Sequence, residues 1–254
     1  MPEEISELKA KLVRAHKILY MEGVREFIMG HVSVRIPGTN NFLIPGHIHE
    51  IGRGIEDVSL ENINTYTVDG KKLSGDLPDL DELVIHTAIL KSRKDVNSVV
   101  HAHGPMTLAL SIAGKLVQPI NATSIYWGVS NPDAISMLDN DWPFITTDAH
   151  GAELVKALGS RRAVVHRGHA MVTVGANIED ACTAAIMIEH TARLQIIASL
   201  LGQPKQFSQK TVKDWEMRMS ENFAKGNELW LYFENKLKKW EYRKISAYGA
   251  MPPL

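Results

Sequence analysis

Closely spaced short runs of β-forming residues, separated by turn pairs, constrain the fold of this chain more than any other feature. The runs cover residues 31–36 (HVSVRI), 41–45 (NFLIP) and 64–68 (NTYTV). Glycine-containing pairs punctuate them, and Asp69-Gly70 fits a two-residue hairpin turn. We therefore predict a central sheet that is rich in antiparallel strands.

Helical patterns surround these runs. Apolar residues recur at three- and four-residue steps from Ile5 to Leu19, which predicts an N-terminal amphipathic helix. Further helices are predicted at 78–92, 105–112, 178–201 and 212–239, with Asn177 as the N-cap of the third. Three more strands are predicted at 96–103, 163–169 and 170–175.

The sequence lacks the features that usually separate one domain from another. No repeat, low-complexity tract or long linker divides it. We predict one α/β domain over residues 1–205, with helices on the faces of the sheet, and a C-terminal helical extension over residues 206–254. The extension has an aromatic side, and both a subunit contact and packing within the chain would cover it.

Composition excludes several classes of protein. The net charge of −1 over 254 residues gives no electrostatic reason to expect nucleic acid or an anionic membrane as a partner. No uninterrupted apolar stretch reaches the length of a membrane span, and the charged start is not a secretory signal. The single cysteine, Cys182, excludes a disulfide scaffold and favours a reducing compartment. A cytoplasmic protein is expected.

Two histidines carry the first sign of chemistry. His101 and His103 lie two residues apart on a predicted strand, so their side chains point to the same face. Their Cα atoms would be roughly 6.6–7 Å apart, which lets both imidazoles reach one ion about 2.0–2.1 Å from each nitrogen. A neutral imidazole nitrogen suits zinc-like metals.

Two further residues extend this pattern. His169 follows Gly168 and precedes an apolar strand, and three histidines with an open fourth position are typical of a catalytic metal site. His166 competes for the third place but is expected to face the other way, as a hydrogen-bonded histidine that is structural or supports the metal ligands. Glu82 precedes the strand of His101 and would ligate the metal or take a proton beside it. By pattern alone, however, Glu82 is more often a first-turn acid that complements the helix dipole.

Taken in order, these segments resemble the class II aldolase/adducin family. The matching stretches are GHVSVR, FLIP, GDLPDLDELVIHTAILKSRKDVNSVVHAHG, VVHRGHAMVTVG and IEDACTAAIMIEHTARLQ, which span most of residues 5–201. In the family an acid precedes a helix, an arginine-and-aspartate turn follows, and V-V-H-x-H comes next. Later a histidine heads an apolar strand that ends in glycine. Glu82, His101, His103, His169 and Gly175 occupy these places.

The resemblance implies a fold, an assembly and a cofactor. The fold would be a three-layer α/β/α structure with a central, mixed and mostly antiparallel sheet. The assembly would be a homotetramer with active sites at subunit boundaries. The three histidines would hold a divalent ion, zinc first and manganese, cobalt or iron as alternatives, and the glutamate would do acid/base work. Adducin-type members lack the metal ligands, whereas this chain keeps all of them, which favours an enzyme.

Three loops depart from the sugar-phosphate aldolases of the family. The chain has Gly30-His31-Val32-Ser33 in place of Gly-Asn-x-Ser, the loop 45–50 in place of Thr-Gly, and Leu80-Asp81 in place of two hydroxyl residues. Leucine offers no hydrogen-bond donor and aspartate repels a dianion, so a phosphorylated sugar fits poorly. Gly-His-x-Ser with Arg-Gly-His is similar instead to the family's decarboxylase branch, which acts on hydroxylated aromatic or related carboxylic acids.

We therefore predict a divalent-metal-dependent carbon–carbon lyase that acts on a small molecule, with decarboxylation of a hydroxylated carboxylic acid as the first choice. An aldolase or dehydratase acting on an unphosphorylated hydroxy-carbonyl compound is the alternative within enzymes. A non-catalytic, adducin-like interaction module is the alternative outside them.

Roles for further residues follow from this prediction. Glu82 is the candidate acid/base, and Tyr126 is the nearest candidate for the proton-donating tyrosine of the aldolases. The candidate substrate-binding residues are His31, Ser33, His47 and Arg167. Arg167 would act as a two-pronged clamp for a carboxylate, with an arginine at the surface or behind the site as the alternative. His49 and Trp127 are candidates for lining the pocket. Four histidines are expected to be structural: His16, His86, His150 and His190.

Overall fold

The computed structural model describes residues 2–48, 52–126, 128–129, 133–223 and 228–249. Within them, eight strands form a single sheet. They are β1 (His31–Arg35), β2 (Asn41–Pro45), β3 (Ile63–Thr67), β4 (Lys72–Ser74), β5 (Ser98–Ala102), β6 (Ile135–Leu138), β7 (Ala163–His166) and β8 (Ala170–Gly175). His49 and Trp127 lie outside the described residues.

The strand order of the sheet is β4-β3-β2-β1-β5-β8-β7-β6. Every neighbouring pair is antiparallel except β6 and β7, which are parallel. The predicted mixed and mostly antiparallel sheet is therefore confirmed.

Helices cover both faces of this sheet. They are α1 (Pro2–Met21), α2 (Leu83–Ser92), α3 (Pro105–Ile112), α4 (Ala122–Tyr126), α5 (Asp148–Leu158), α6 (Ile178–Leu201), α7 (Gln209–Phe223) and α8 (Glu228–Gly249). Two short 3₁₀ turns cover Ile55–Asp57 and Leu60–Asn62. Helices α2 and α5 share an apolar cluster with one face of the sheet, and α1, α6 and α8 share another with the opposite face. The predicted three-layer architecture is confirmed.

The structure describes the predicted C-terminal helix in two parts, α7 and α8. Residues 224–227 between them lie outside the described residues. The aromatic side of α8 is covered within the chain, because Trp230 and Phe233 are buried in the same cluster as α1. Ion pairs from Arg14 to Glu234 and from Lys17 to Glu241 join the two helices at the surface.

Helix α2 begins later than the predicted start at Pro78. Its N-cap is Glu82 and its first helical residue is Leu83. The backbone before it forms tertiary hydrogen bonds instead, since the carbonyl of Pro78 accepts from the N–H of His47 at 2.9 Å. The carbonyl of Leu77 likewise accepts from the Asn64 side chain at 2.9 Å. These contacts hold the segment across the end of β2 and β3, where it leads Glu82 into the centre of the molecule.

Among the described residues, α6 is the one helix that is long and apolar enough, by length and composition alone, to cross a membrane. Half of the apolar window is buried inside the structure, however. This helix packs on β5 and β8 and supplies a large part of the core. Its apolar character is therefore explained by its place in the fold.

A buried carboxylate on α6 fixes the start of α3, directly after His103. Glu189 accepts hydrogen bonds from the backbone N–H groups of Met106 at 2.8 Å and Thr107 at 2.9 Å, and from the Thr107 hydroxyl at 2.8 Å. A negative charge is favourable at a helix N-terminus, where N–H groups lack partners. A side chain at Gly104 would collide with this carboxylate. The contact therefore fixes the backbone that follows His103.

We predict that Glu189→Ala lowers the free energy of unfolding by about 1–3 kcal/mol or more, because it leaves buried hydrogen-bond donors at the start of α3 without an acceptor. Urea denaturation checks this value. The exposed Glu153 on α5 is the matched control, and its replacement by alanine should change stability by no more than about 0.5 kcal/mol. Equal effects of the two substitutions would contradict the anchoring role.

Candidate metal centre

Three histidines meet at the edge of the sheet where β5 ends and the neighbouring strand β8 begins. His101 lies on β5, and His103 follows the end of that strand. His169 lies in the tight turn between β7 and β8, next to Gly168, whose φ of 73° favours glycine. Antiparallel pairing of β5 with β8 sets Ala102 opposite Met171, which brings this turn beside His103.

The nitrogen atoms of these rings converge on one point. The Nε2 atoms of His101 and His103 are 3.0 Å apart, and one ligand nitrogen from each of the three residues lies within 4.8 Å of the others. The ring centroid of His169 is 5.1 Å from that of His101 and 5.0 Å from that of His103. All three side chains are buried.

Glu82 completes the cluster from the helix side of the sheet. Its Oε2 lies 3.2 Å from Nε2 of His101 and 3.6 Å from Nε2 of His169. Its other oxygen, Oε1, accepts a hydrogen bond from the backbone N–H of Ile145 at 2.9 Å. The carboxylate is thereby held with one oxygen directed at the histidines.

The surroundings set the protonation of these groups at neutral pH. Burial, followed by the neighbouring His101, lowers the pKa of His103 to about 2 and that of His169 to about 4. Burial acts to raise the pKa of Glu82, but His101, His169 and the Ile145 amide outweigh it and lower that pKa to about 2. The site therefore presents His103 and His169 as neutral imidazoles beside the ionised Glu82 carboxylate.

This arrangement fits a divalent ion of the zinc type. Neutral imidazole nitrogens are its preferred ligands. The Nε2 atoms of His101 and His103, 3.0 Å apart, are close enough to share one ion at about 2.0–2.1 Å from each nitrogen. Among the described residues, the buried Nδ1 atoms of His101 and His169 have no hydrogen-bond partner. The polar contacts of both rings are therefore made by their Nε2 atoms, which point to the centre of the cluster. Three histidines leave positions open for a reactant.

A cavity of about 520 Å³ opens over this cluster. Its lining combines apolar and polar side chains: Ile28, Met29, Gly30, His31, His47, Leu80, Asp81, Glu82, His103, Phe144 and Thr146. The structure thus brings together most of the site residues that the sequence singles out. His31 and His47 both line this cavity, and their role in substrate binding stays a prediction.

Three of the candidate residues lie elsewhere. Ser33 is fully buried behind His31 rather than in the wall of the cavity. Tyr126 lies in a separate, mostly apolar cavity of about 450 Å³, beside Phe207 and Trp215. Within one chain, the structure does not bring Tyr126 to Glu82.

Arg167 does not line the main cavity either. Its guanidinium binds the Asp139 carboxylate and donates to the carbonyl of Asn140 at 3.0 Å. Its neighbour His166 lies beside the cluster rather than facing away, since its ring centroid is 5.3 Å from that of His169. The Nε2 atom of His166 hydrogen-bonds to the loop that follows β6, at 3.0 Å from the Trp142 carbonyl.

Both side chains therefore hold the loop that follows β6. That loop carries Ile145, whose N–H orients Glu82. It also carries Phe144, whose ring meets His169 edge-on at a centroid distance of 5.3 Å. Arg167 is therefore positioned to support one wall of the cavity, which is the alternative that the sequence leaves open for this residue.

His86, expected to be a structural histidine, lies directly behind the cavity. Its Nε2 is 2.7 Å from Nδ1 of His31, and its Nδ1 is 2.6 Å from Oγ of Ser33. A sequence signal for this placement exists, because His86 follows Glu82 by four residues and so shares its side of α2.

Comparison with known proteins places this geometry in a family. The family model for the class II aldolase and adducin N-terminal domain matches residues 10–196. The 3,4-dihydroxyphthalate decarboxylase of Arthrobacter keyseri is 28% identical over 193 residues, which cover 74% of this chain and 77% of that protein.

Solved structures agree in fold. An aldolase II superfamily protein from Pseudomonas syringae superposes with a TM-score of 0.78 at 22% identity, covering 94% of each chain. The L-fuculose 1-phosphate aldolase from Glaciozyma antarctica PI12 gives a TM-score of 0.71 at 22% identity, covering 85% of this chain and 81% of that one. The chain therefore belongs to the class II aldolase and adducin family.

Proposed function

We propose that this chain is a divalent-metal-dependent carbon–carbon lyase that decarboxylates a hydroxylated, aromatic carboxylic acid. The observation that carries the proposal is the convergence of His101, His103 and His169 with the Glu82 carboxylate beneath a cavity. Adducin-like modules have no need of such a cluster. Similarity to a protein named as a 3,4-dihydroxyphthalate decarboxylase favours decarboxylation among the lyase reactions.

The three histidines would hold the metal through their Nε2 atoms. Zinc is our first choice, because its usual ligand set includes three imidazoles, and manganese, cobalt and iron are alternatives. A bound divalent ion supplies Lewis acidity, which stabilises negative charge on a substrate oxygen by several kcal/mol.

Glu82 would move the proton. Its ionised Oε2, which is directed at the histidines, would accept the proton of a substrate hydroxyl, while Oε1 is held by Ile145. When carbon dioxide leaves, its bonding electrons remain on the substrate carbon, and Glu82 returns a proton to that atom. One carboxylate thus serves first as base and then as acid, with no net change in its own protonation.

The lining of the cavity suits a substrate that has both apolar surface and polar groups. Leu80 and Phe144 offer apolar surface, while His47 and Thr146 offer hydrogen-bonding groups. Asp81 also faces the cavity, and its negative charge opposes a phosphate dianion. Among the described residues that line the cavity, there is no lysine or arginine to bind a phosphate.

An aldolase or dehydratase acting on an unphosphorylated hydroxy-carbonyl compound is the second candidate. The same metal ligands and the same acid/base would serve it, and the fold is shared with L-fuculose 1-phosphate aldolase. A proton-donating role for Tyr126 would require a second copy of the chain, because this residue lies outside the cavity of its own Glu82. The homotetramer that the sequence resemblance implies would supply such a copy.

We predict that the purified protein retains close to one equivalent of a divalent transition metal per chain and that His103→Ala loses it. Removing one of three nitrogen ligands weakens the site, and elemental analysis by mass spectrometry measures the result. His190→Ala, an exposed substitution on α6, is the control and should keep the metal. Equal metal content in the two variants would contradict the assignment.

We predict that the metal-loaded protein releases carbon dioxide from an aromatic acid with a neighbouring hydroxyl group. The first compounds to test are 3,4-dihydroxyphthalate and 2,3-dihydroxybenzoate, with carbon dioxide and the phenolic product both quantified. Aldehyde release or water loss from a free ketose, without carbon dioxide from any acid, would instead support the second candidate.

We predict that Glu82→Gln keeps the metal but lowers kcat by about 100-fold or more, because glutamine does not transfer the proton. Glu153→Gln on α5 is the matched control and should keep both metal and turnover. Metal analysis and steady-state kinetics on the same preparations separate the two effects. Undiminished turnover in the Glu82 variant would assign the acid/base role to another group.

A further inference from the structure

A chain of three buried polar side chains runs behind the cavity. Ser33 and His31 lie on β1, and His86 lies on α2 between them. Ser33 and His86 are fully buried and His31 is 6% exposed. Both hydrogen bonds are short, at 2.6 Å and 2.7 Å, so the three groups form one connected path.

Ser33 determines which group donates and which accepts in each hydrogen bond of this path. Among the described residues, His86 is the only hydrogen-bond partner of the Ser33 hydroxyl. A buried hydroxyl needs an acceptor for its hydrogen, because leaving it unpaired costs free energy. Ser33 therefore donates to Nδ1 of His86, and that nitrogen acts as the acceptor.

The tautomers of both histidines are then determined. A neutral imidazole carries one hydrogen, so in His86 it lies on Nε2 and is donated to Nδ1 of His31. In His31 the hydrogen must consequently lie on Nε2. Burial is the largest cause that lowers the pKa of His86, to about 3, so this ring is neutral at physiological pH.

The Nε2 atom of His31 is the group that this path presents to the cavity. His31 lines that cavity, and its Nε2 has no hydrogen-bond partner in the described part of the chain. The ring stacks on His101 with a centroid distance of 4.7 Å and an interplanar angle of 18°. A donor therefore lies close to His101 and Glu82, with which His31 forms a second close group.

We propose that the Ser33–His86–His31 path fixes His31 as an Nε2–H donor, and that this donor binds the substrate oxygen on which negative charge develops. This inference rests on the proposed lyase function for the substrate and on the protein's own hydrogen bonds for the tautomer. His31 is then a catalytic residue, while Ser33 and His86 are positioning residues. A nitrogen that carries hydrogen has no lone pair for a metal, so His31 is not a fourth ligand.

The tautomer is tested without any substrate. Zinc-loaded protein labelled with ¹⁵N at histidine gives long-range ¹H–¹⁵N NMR spectra, in which protonated and unprotonated ring nitrogens differ strongly in shift. His31→Gln identifies the signals of His31. We expect Nε2 of His31 to be protonated and its Nδ1 to be unprotonated. A proton on Nδ1 would overturn the inference whatever reaction the enzyme catalyses.

Substitutions test whether the serine directs the path. Ser33→Ala should release the tautomer preference of His31, and Ser33→Thr, which keeps the hydroxyl, should restore it. Ser98→Ala is the matched control, because Ser98 is equally buried on the neighbouring strand β5 but donates to a backbone carbonyl. An unchanged His31 spectrum in folded Ser33→Ala would contradict the proposal.

Ligand binding tests the donor role. The probe is 3,4-dihydroxybenzoate, the product of decarboxylating 3,4-dihydroxyphthalate, titrated into zinc-loaded protein. We expect Ser33→Ala to weaken its binding by roughly 10-fold, with parent-like binding in Ser33→Thr and Ser98→Ala. Equal binding in all four proteins would overturn the donor role.

Kinetics separate this role from mere support of the fold. With whichever substrate the carbon dioxide assay identifies, Ser33→Ala should lower kcat by roughly 100-fold and change KM less, as for a lost donor to a developing oxyanion. A loss confined to KM would contradict a role in the reaction. Absence of any decarboxylation together with the expected His31 tautomer would refute the proposed reaction and leave the hydrogen-bond path standing.

Discussion

The register of β5 between β1 and β8 is the constraint on which the rest of the site depends. It sets His31 opposite His101 on one side and Val172 opposite His101 on the other. Odd-numbered residues of β1 and β5 face α2, where Glu82 and His86 are located, and the even-numbered residues face α6. A slip of one residue would turn every one of these side chains to the wrong face.

Local periodicity was sufficient to predict much of this arrangement. The i, i+2 spacing of His101 and His103 survives in the structure because alternation in a strand is a property of the backbone itself. Asn177 caps α6 by accepting from the N–H of Asp180 at 2.8 Å, as its sequence position predicts. The metal role of the cluster stays a prediction, since geometry supplies its fit and not its occupancy.

Other features depend on contacts between distant segments, which no local pattern records. The segment before Glu82 is rich in helix-start signals, yet β2 and β3 bind its backbone and delay the helix. The sequence pattern gives no strand for β6, which is four residues long and pairs in parallel with β7. Arg167 has the chemistry of a substrate clamp, but the acidic residues that follow β6 engage it first. His86 acquires its place only when α2 packs on β1.

The position of Glu82 at the start of α2 affects the stability of that helix. A short side chain such as serine or aspartate at an N-cap normally stabilises a helix by about 0.5–2 kcal/mol, by binding the exposed N–H groups of its first turn. The Glu82 side chain makes no such bond and turns to the histidines instead. Helix α2 thus lacks the stabilisation of a side-chain cap, because its N-cap residue contacts the histidines. Selection for a more thermostable chain alone would tend to erase this residue.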